Sequence, residues 1–402
     1  MQAALLSDIP VFASFIAARF KRYLSRTMPA RLLTLLSLLL CGCCRLYAQK
    51  TLVFAGTFNH DKNKEGIQVL QLDTETGLLK PLYTLTGILN PSYLALSGNG
   101  LFLYACIETR TPGAGSIAAF GIDTASGALH LLNRRKSSGE NPVYTTLTKD
   151  GRYLFGVNYT EGGIDVFPVE GDGRIGPLLQ AVAYTEGSHA TERQAGAHTH
   201  SLQLSPDQDH IFVPDLGSDI IRSYRFDPGA AQPIVLPTAG QVKAAPGSGP
   251  RHFTFHPGGK YAYCIEEISG WVSAYRYTRG RLKPLQHIAA HKDSLEDYNS
   301  ADIHCSPDGR FLYVSNRGDE NNIAVFAIRS DGRLRRIGLQ PTMGEHPRIF
   351  ALDEKGRFLI VANQVSGNIT VFRRDRHSGK LRHIPQEVPL GNVSCVQIKT
   401  YE

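Results

Sequence analysis

Between Gly249 and Glu267 the apolar and polar positions describe one β-hairpin. Phe253 and Phe255 alternate with smaller or polar neighbours, a Pro257-Gly258-Gly259 turn follows, and a second β-rich run, Tyr261 to Ile265, leads away. Arg251 and His252 stand at the far end of one strand, Glu266 and Glu267 at the far end of the other. A hairpin brings those ends side by side.

The unit recurs along the chain. Turn tags stand at Ser97–Gly100, Thr148–Gly151, Ser205–Gln208, His256–Gly259, Ser306–Gly309 and Asp353–Gly356, with last residues 51, 57, 51, 50 and 47 positions apart. Each precedes a short apolar strand, such as Phe311 to Val314, and then a third strand, such as Asn322 to Phe326 or Asn368 to Phe372. An Asp/Gly turn, as at Asp331-Gly332, leads to a fourth. Four strands in roughly 50 residues is the arithmetic of a β-propeller blade.

Thr51 to Tyr83 has three strand signals but no strand before a tag, and Val393 to Ile398 is a lone strand with nothing after it. Together they complete a seventh blade, and the pairing of C-terminal with N-terminal strand closes the ring without a free edge. The expectation is an all-β, seven-bladed propeller of four-stranded antiparallel blades. Residues 49–402 then form one domain.

Residues 1–48 stand outside the pattern. Pro29-Ala30-Arg31, the apolar run Leu32 to Leu40 and a small residue, Ala48, before Gln49 describe a secretory signal peptide, with Met28 as an alternative start. The run is shorter than the ~20 residues of a membrane span. Leu40-Cys41-Gly42-Cys43 also fits a lipoprotein cleavage box, which would put a lipid anchor on Cys43. Either route exports the mature chain to a periplasmic or extracellular location.

Export changes the charge balance. The net charge is +7, but residues 1–48 hold six basic residues against Asp8 alone, so the remainder is near +2. Neither that value nor any basic stripe with interleaved aromatics points to nucleic acid, and a monomer is expected. Cys106, Cys264, Cys305 and Cys395 lie in predicted strands with no Cys-x-x-Cys pair, which suggests buried thiols.

The repeat serves as a coordinate system for chemistry. Eight residues before the markers stand His200, Arg251, Ala301 and Arg348, and eight after them Glu267 and Arg317. Both offsets fall at the hairpin end away from the turn, so these groups, with Asp302 one place along, should share one mouth of the channel.

His200-Ser201 with Ser205-Pro206-Asp207, Gly249-Pro250-Arg251-His252, Tyr263 to Glu267, Ala301-Asp302-Ile303-His304, Ser315-Asn316-Arg317 and His346-Pro347-Arg348 resemble the seven-bladed propeller lactonase family. That family includes the bacterial propeller-type 6-phosphogluconolactonase and the fungal carboxy-cis,cis-muconate lactonising enzyme. The resemblance spans roughly residues 51–398 and implies His200, Arg251, Glu267 and Arg317 as catalytic residues. It is similar enough to imply hydrolysis of a small acidic sugar lactone without cofactor or metal.

Such chemistry needs a base for water, donors for the developing oxyanion and cations for an acidic substrate. A histidine whose ordinary pKa is near neutrality suits the first, so His200 is the expected base. The guanidinium forks of Arg251 and Arg317 suit the others. His198, His252, Asp302, His304 and Arg348 are the expected substrate-binding residues. His198 and His200 would point to opposite strand faces, which disfavours joint metal ligation. A muconate-type cycloisomerase and a non-enzymatic propeller binding an acidic sugar or a protein remain alternatives.

Overall fold

The computed structural model describes residues 49–401 apart from 110, 112 and 293–297, and the signal peptide and anchor position expected within residues 1–48 lie outside the described residues. Within Lys50–Tyr401 the strands form seven four-stranded antiparallel sheets, the predicted blades. The innermost strands are, in order from the second blade, Pro91–Leu96, Pro142–Leu147, Gln203–Leu204, Pro250–Phe255, Ser300–Cys305 and Pro347–Leu352. Val393–Tyr401 is innermost in the first blade, where Val53 faces Ile398 and Ala55 faces Val396 across an antiparallel pair. This seals the ring by sequence-distant hydrogen bonds.

Hydrophobic patterning follows each strand's place in its blade. Second strands such as Phe311–Asn316 and Phe358–Asn363 are buried throughout, because a neighbouring blade covers each face. Outer strands such as Leu129–Lys136 are mostly exposed after the first residue. The four described cysteines are free thiols; Cys106, Cys264 and Cys395 are buried and Cys305 is partly so. Among the described residues no helix is long and apolar enough to cross a membrane.

The tags owe their composition to a tight turn. Ser306 Oγ donates to Asp308 (2.6 Å) and accepts from the Phe311 amide (3.0 Å), while the Gly309 amide donates back to the Ser306 carbonyl (2.8 Å). Gly309 sits at φ +69°, in the left-handed region that glycine enters without steric cost. The fourth-blade tag puts Gln208 there instead, at φ +62°.

At the opposite end, six of the seven innermost strands carry a β-bulge. The register shifts between Pro91 and Tyr93, Pro142 and Tyr144, Pro250 and His252, Ser300 and Ile303, Pro347 and Ile349, and Val393 and Cys395. A bulge leaves the intervening residue unpaired and re-aims its side chain. The skipped residues include Arg251, Asp302 and Arg348, so the shared offset from the markers is a shared backbone irregularity at the mouth.

Candidate active site

Glu267 is the centre of the mouth. It follows Tyr261–Glu266, the second strand of the fifth blade, and its amide donates to the carbonyl of Gly249 (2.7 Å), which stands at φ +67° just before Pro250 and Arg251. A Cβ at Gly249 would lie 2.8 Å from Ile268 Cγ1, so both its conformation and its close packing require glycine. That local geometry sets Arg251 beside Glu267.

Three guanidiniums converge on the one carboxylate. Arg251 Nε donates to Glu267 Oε2 (2.5 Å), while Arg317 Nη2 and Arg193 Nη1 reach Oε1 at 3.0 and 2.7 Å. Arg251 and Glu267 are almost wholly buried, whereas the Arg193 side chain is 45% exposed and roofs the cluster. Burial alone would raise the Glu267 pKa, but Arg317, Arg251 and Arg193 outweigh it and hold the group well below its ordinary value. Glu267 is therefore held as an anion, the counter-charge to the three guanidiniums.

The arginines are also fixed by carbonyls. Arg251 Nη1 donates to the Ala301 carbonyl (3.0 Å), and Arg317 donates through Nε to the Asn299 carbonyl (2.7 Å) and through Nη2 to Asn299 Oδ1 (2.6 Å). Arg317 Nη1 stands 3.3 Å from His346 Nε2. Burial first, then Arg317, lowers the His346 pKa to about 3, so a neutral imidazole accepts from the guanidinium. Arg251 Nη2 makes no hydrogen bond to the described residues, leaving two N–H groups for a ligand.

His200 precedes the two-residue strand Gln203–Leu204, next to an isolated bridge between Thr199 and Asp215. Its ring centroid lies 5.3 Å from that of His252 and 5.4 Å from that of Tyr159. His200 Nδ1 and His252 Nε2 are both buried without a hydrogen-bond partner. Burial first, then Arg251 and His252, holds the His200 pKa well below its ordinary value. The sequence-based expectation of an imidazole titrating near neutrality is corrected here: cations and low polarity keep His200 neutral well into acid.

His252 is better oriented than the sequence suggested. Its Nδ1 pairs with Asp302 Oδ1 (2.8 Å), and Asp302 Oδ2 accepts from the Phe350 amide (3.0 Å) and from His304 Nε2 (2.9 Å). Burial, then Arg251, takes the His252 pKa down to about 4. Asp302 remains ionised because His304 and His252 outweigh its burial.

His200, Arg251, Glu267, Arg317, His252 and Asp302 thus lie together at one mouth. Arg348 joins them as a cation near enough to depress the His200 pKa, with its guanidinium 5.1 Å from the Phe58 ring centre. His198 is drawn aside: it stacks on Tyr159 at 4.6 Å and its Nδ1 bonds the Tyr159 carbonyl (2.9 Å). His304 lies two residues along the innermost strand from Asp302 and braces its Oδ2 through Nε2.

Sequence reasoning missed Arg193 and gave no role to Tyr159, eight residues after Gly151, or to His346 of the His346-Pro347-Arg348 motif. Arg193 lies in the short 3-10 helix Glu192–Gln194, within the connection that makes the interval from Gly151 to Gln208 the longest between markers. That surplus length was the available signal. Beside the cluster the mouth opens into a cavity of about 580 Å³, whose wall includes Arg348, Phe58, Asn141 and Gln364.

The fold and site define a seven-bladed β-propeller with a cationic mouth, in which two neutral histidines face a buried arginine–glutamate cluster. The family model for lactonases described as 7-bladed beta-propeller matches residues 52–398, and the chain belongs to that family. A 6-phosphogluconolactonase of Formosa agariphila is 44% identical over 351 residues, covering 87% of this chain and 99% of the relative. The 6-phosphogluconolactonase of Bacillus subtilis is 35% identical over 353 residues, 87% of this chain and 98% of the relative. Among solved structures, the periplasmic gluconolactonase of Pseudomonas aeruginosa superposes with a TM-score of 0.81 at 34% identity, covering 87% of this chain and 99% of its own.

Proposed function

We propose that this protein is a lactonase that opens an acidic sugar lactone, converting 6-phosphogluconolactone to 6-phosphogluconate, without a metal. The observation that carries this is the presence of Arg251, with its Nη2 donors unspent, and His200, with Nδ1 unpartnered, at one mouth. His200, neutral at physiological pH, takes a proton from water as the water oxygen bonds the lactone carbonyl carbon. Charge that develops on the carbonyl oxygen is held by Arg251, a preorganised donor that needs no rearrangement during the reaction. Collapse breaks the ring C–O bond, and the proton on His200 passes to the departing oxygen. Glu267 keeps Arg251 and Arg317 in place, and Arg348 anchors the acidic end of the substrate.

An unphosphorylated gluconolactone is the second candidate substrate. The leader in residues 1–48 and the likeness to a periplasmic gluconolactonase favour it, because a phosphorylated intermediate would seldom meet an exported enzyme. Export is part of the same proposal. The test is a panel of sugar lactones, followed by acid release with and without chelator. Release above the spontaneous rate, insensitive to chelator, is expected; no acceleration on any lactone sinks the assignment.

A further inference from the structure

Two buried ring nitrogens lie in neighbouring blades, each without a partner. Among the described residues His200 Nδ1 and His252 Nε2 make no hydrogen bond, although both residues are more than nine-tenths buried. Their ring centres stand 5.3 Å apart and the rings cross at 65°. The backbones that carry them are pinned together right beside each residue. Ser201 Oγ donates to the Arg251 carbonyl (2.8 Å), and Arg251 Nη1 donates in turn to the Ala301 carbonyl (3.0 Å). Three successive blades therefore present His200, His252 and Asp302 as one row.

Charge places the protons along this row. The ionised Asp302 accepts four hydrogen bonds: at Oδ1 from the Ile303 amide (2.9 Å) and His252 Nδ1 (2.8 Å), and at Oδ2 from the Phe350 amide (3.0 Å) and His304 Nε2 (2.9 Å). A carboxylate only accepts, so the proton of the His252 bond sits on Nδ1. A neutral imidazole carries one proton, which leaves His252 Nε2 as a bare acceptor. Tyr93 and Tyr144 meet that ring in T-shaped contacts, with centres 6.3 and 5.5 Å away, and give Nε2 no hydrogen bond. His200 Nδ1, enclosed and partnerless in the adjoining ring, is the complementary donor.

We propose that His252 and Asp302 are positioning residues for the base: His200 Nδ1–H donates to His252 Nε2, which fixes the tautomer of His200 and leaves its Nε2 to take the proton from water. The inference rests on the lactonase assignment and deepens it. The bond is open in this structure. It closes by rotation about terminal ring torsions, which are broad in histidine, and catalytic hydrogen bonds often tighten only once substrate is bound. As His200 gains its second proton, the imidazolium is held by a row that ends on the Asp302 carboxylate. Asp302 takes no proton, and His200 passes its own to the departing ring oxygen, so the row returns to its starting state. The groups facing His200 are the Tyr159 ring, Arg251, Arg348 and His252, with Glu267 as the anion among them. Against those cations Asp302, reached through His252, supplies a second negative charge.

The test uses the full chain and its best lactone, with the spontaneous rate subtracted. His252→Leu should lower kcat by about 10² or more with KM little changed, the worth of a positioned base. His252→Gln, whose amide oxygen accepts from His200, should recover about tenfold over the leucine variant, the worth of one hydrogen bond. In Asp302→Asn the amide NH₂ donates to His252 Nδ1 and moves the ring proton to Nε2, so kcat should fall as far; kcat/KM should then rise about tenfold per pH unit from pH 6 to 8, where the parent is flat, because hydroxide needs no base. A leucine variant with near-parental kcat, a glutamine variant no better than leucine, or an asparagine variant with a flat profile overturns the row and leaves the lactonase assignment standing. Nitrogen-15 spectra of the parent at pH 7, with the His200 signals identified by their loss in His200→Asn, decide the matter even if no variant of the row folds: a proton on Nδ1 is expected, and a proton on Nε2 overturns the proposal. Failure on every lactone overturns both.

Discussion

Replacing Glu267 by Gln removes the one anion that, among the described residues, directly contacts Arg251, Arg317 and Arg193, while keeping the size of the side chain. The amide oxygen can still accept from one guanidinium, but its NH₂ faces the donors of another. Two of the three partners are buried, and breaking a buried ion pair by removing one member costs about 3–5 kcal/mol. The Arg193 contact is half-exposed and adds at most about 1 kcal/mol. For a domain spanning Lys50–Tyr401, an unfolding entropy of about 2.1 cal/mol/K per residue makes 3–5 kcal/mol a fall in Tm of about 4–7 °C. Calorimetric melting at pH 7 in low salt measures it. Added phosphate should narrow the gap from the unsubstituted protein, because an anion can take the place of the lost carboxylate among the arginines. A variant that melts within about 1 °C of the parent in low salt, or whose deficit phosphate leaves unchanged, would show that Glu267 is not the counter-charge that assembles the site.

Arg251→Ala should lower kcat on the best lactone by about 10² or more with the fold intact, and Arg251→Lys should recover little, because a single ammonium cannot bond Glu267 and the Ala301 carbonyl and still offer Nη2; near-parental turnover in the Lys variant counts against oxyanion binding. Deleting residues 390–402 removes the innermost strand of the first blade, so the truncated chain should lose its cooperative melt, and a melt like the parent's would refute closure by that strand. The pH dependence follows from His252, held down to about 4 against about 6.5 when unfolded: between those values the unfolded chain binds a proton that the native chain lacks. Stability should therefore be full above pH 6.5 and fall by about 3 kcal/mol from this group alone as pH drops towards 4. Urea midpoints at pH 4.5, 5.5 and 7 should show the loss, and His252→Asn should flatten it; an unaltered slope in the variant would assign the effect elsewhere. Since His200 is likewise held neutral, kcat/KM should be flat from pH 6 to 8.

The chain determined its architecture by itself, because each element is encoded locally and then repeated. A tag such as Ser306–Gly309 makes its turn with its own hydroxyl, carboxylate and left-handed glycine, and the buried run that follows it needs only a blade on either side. Counting tags counts blades, and the unmatched strand at Val393 had to pair with the unmatched set beginning at Lys50. The common offset also located Arg251, Glu267, Arg317 and Arg348 at one mouth, since equivalent places in a ring of equal blades face one another.

What only the tertiary structure decided is the state of those groups. The bulges that turn Arg251, Asp302 and Arg348 out of register leave no mark that alternation can show. Arg193 belongs to no repeat and reaches Glu267 because a connection folds back across the mouth. Whether His200 is charged and whether Glu267 can move a proton depend on burial and on charges contributed by several blades. Desolvation and Coulomb energy are sums over neighbours in space, and in a propeller those neighbours come from segments 50 or more residues apart, as Arg251 and Ala301 do.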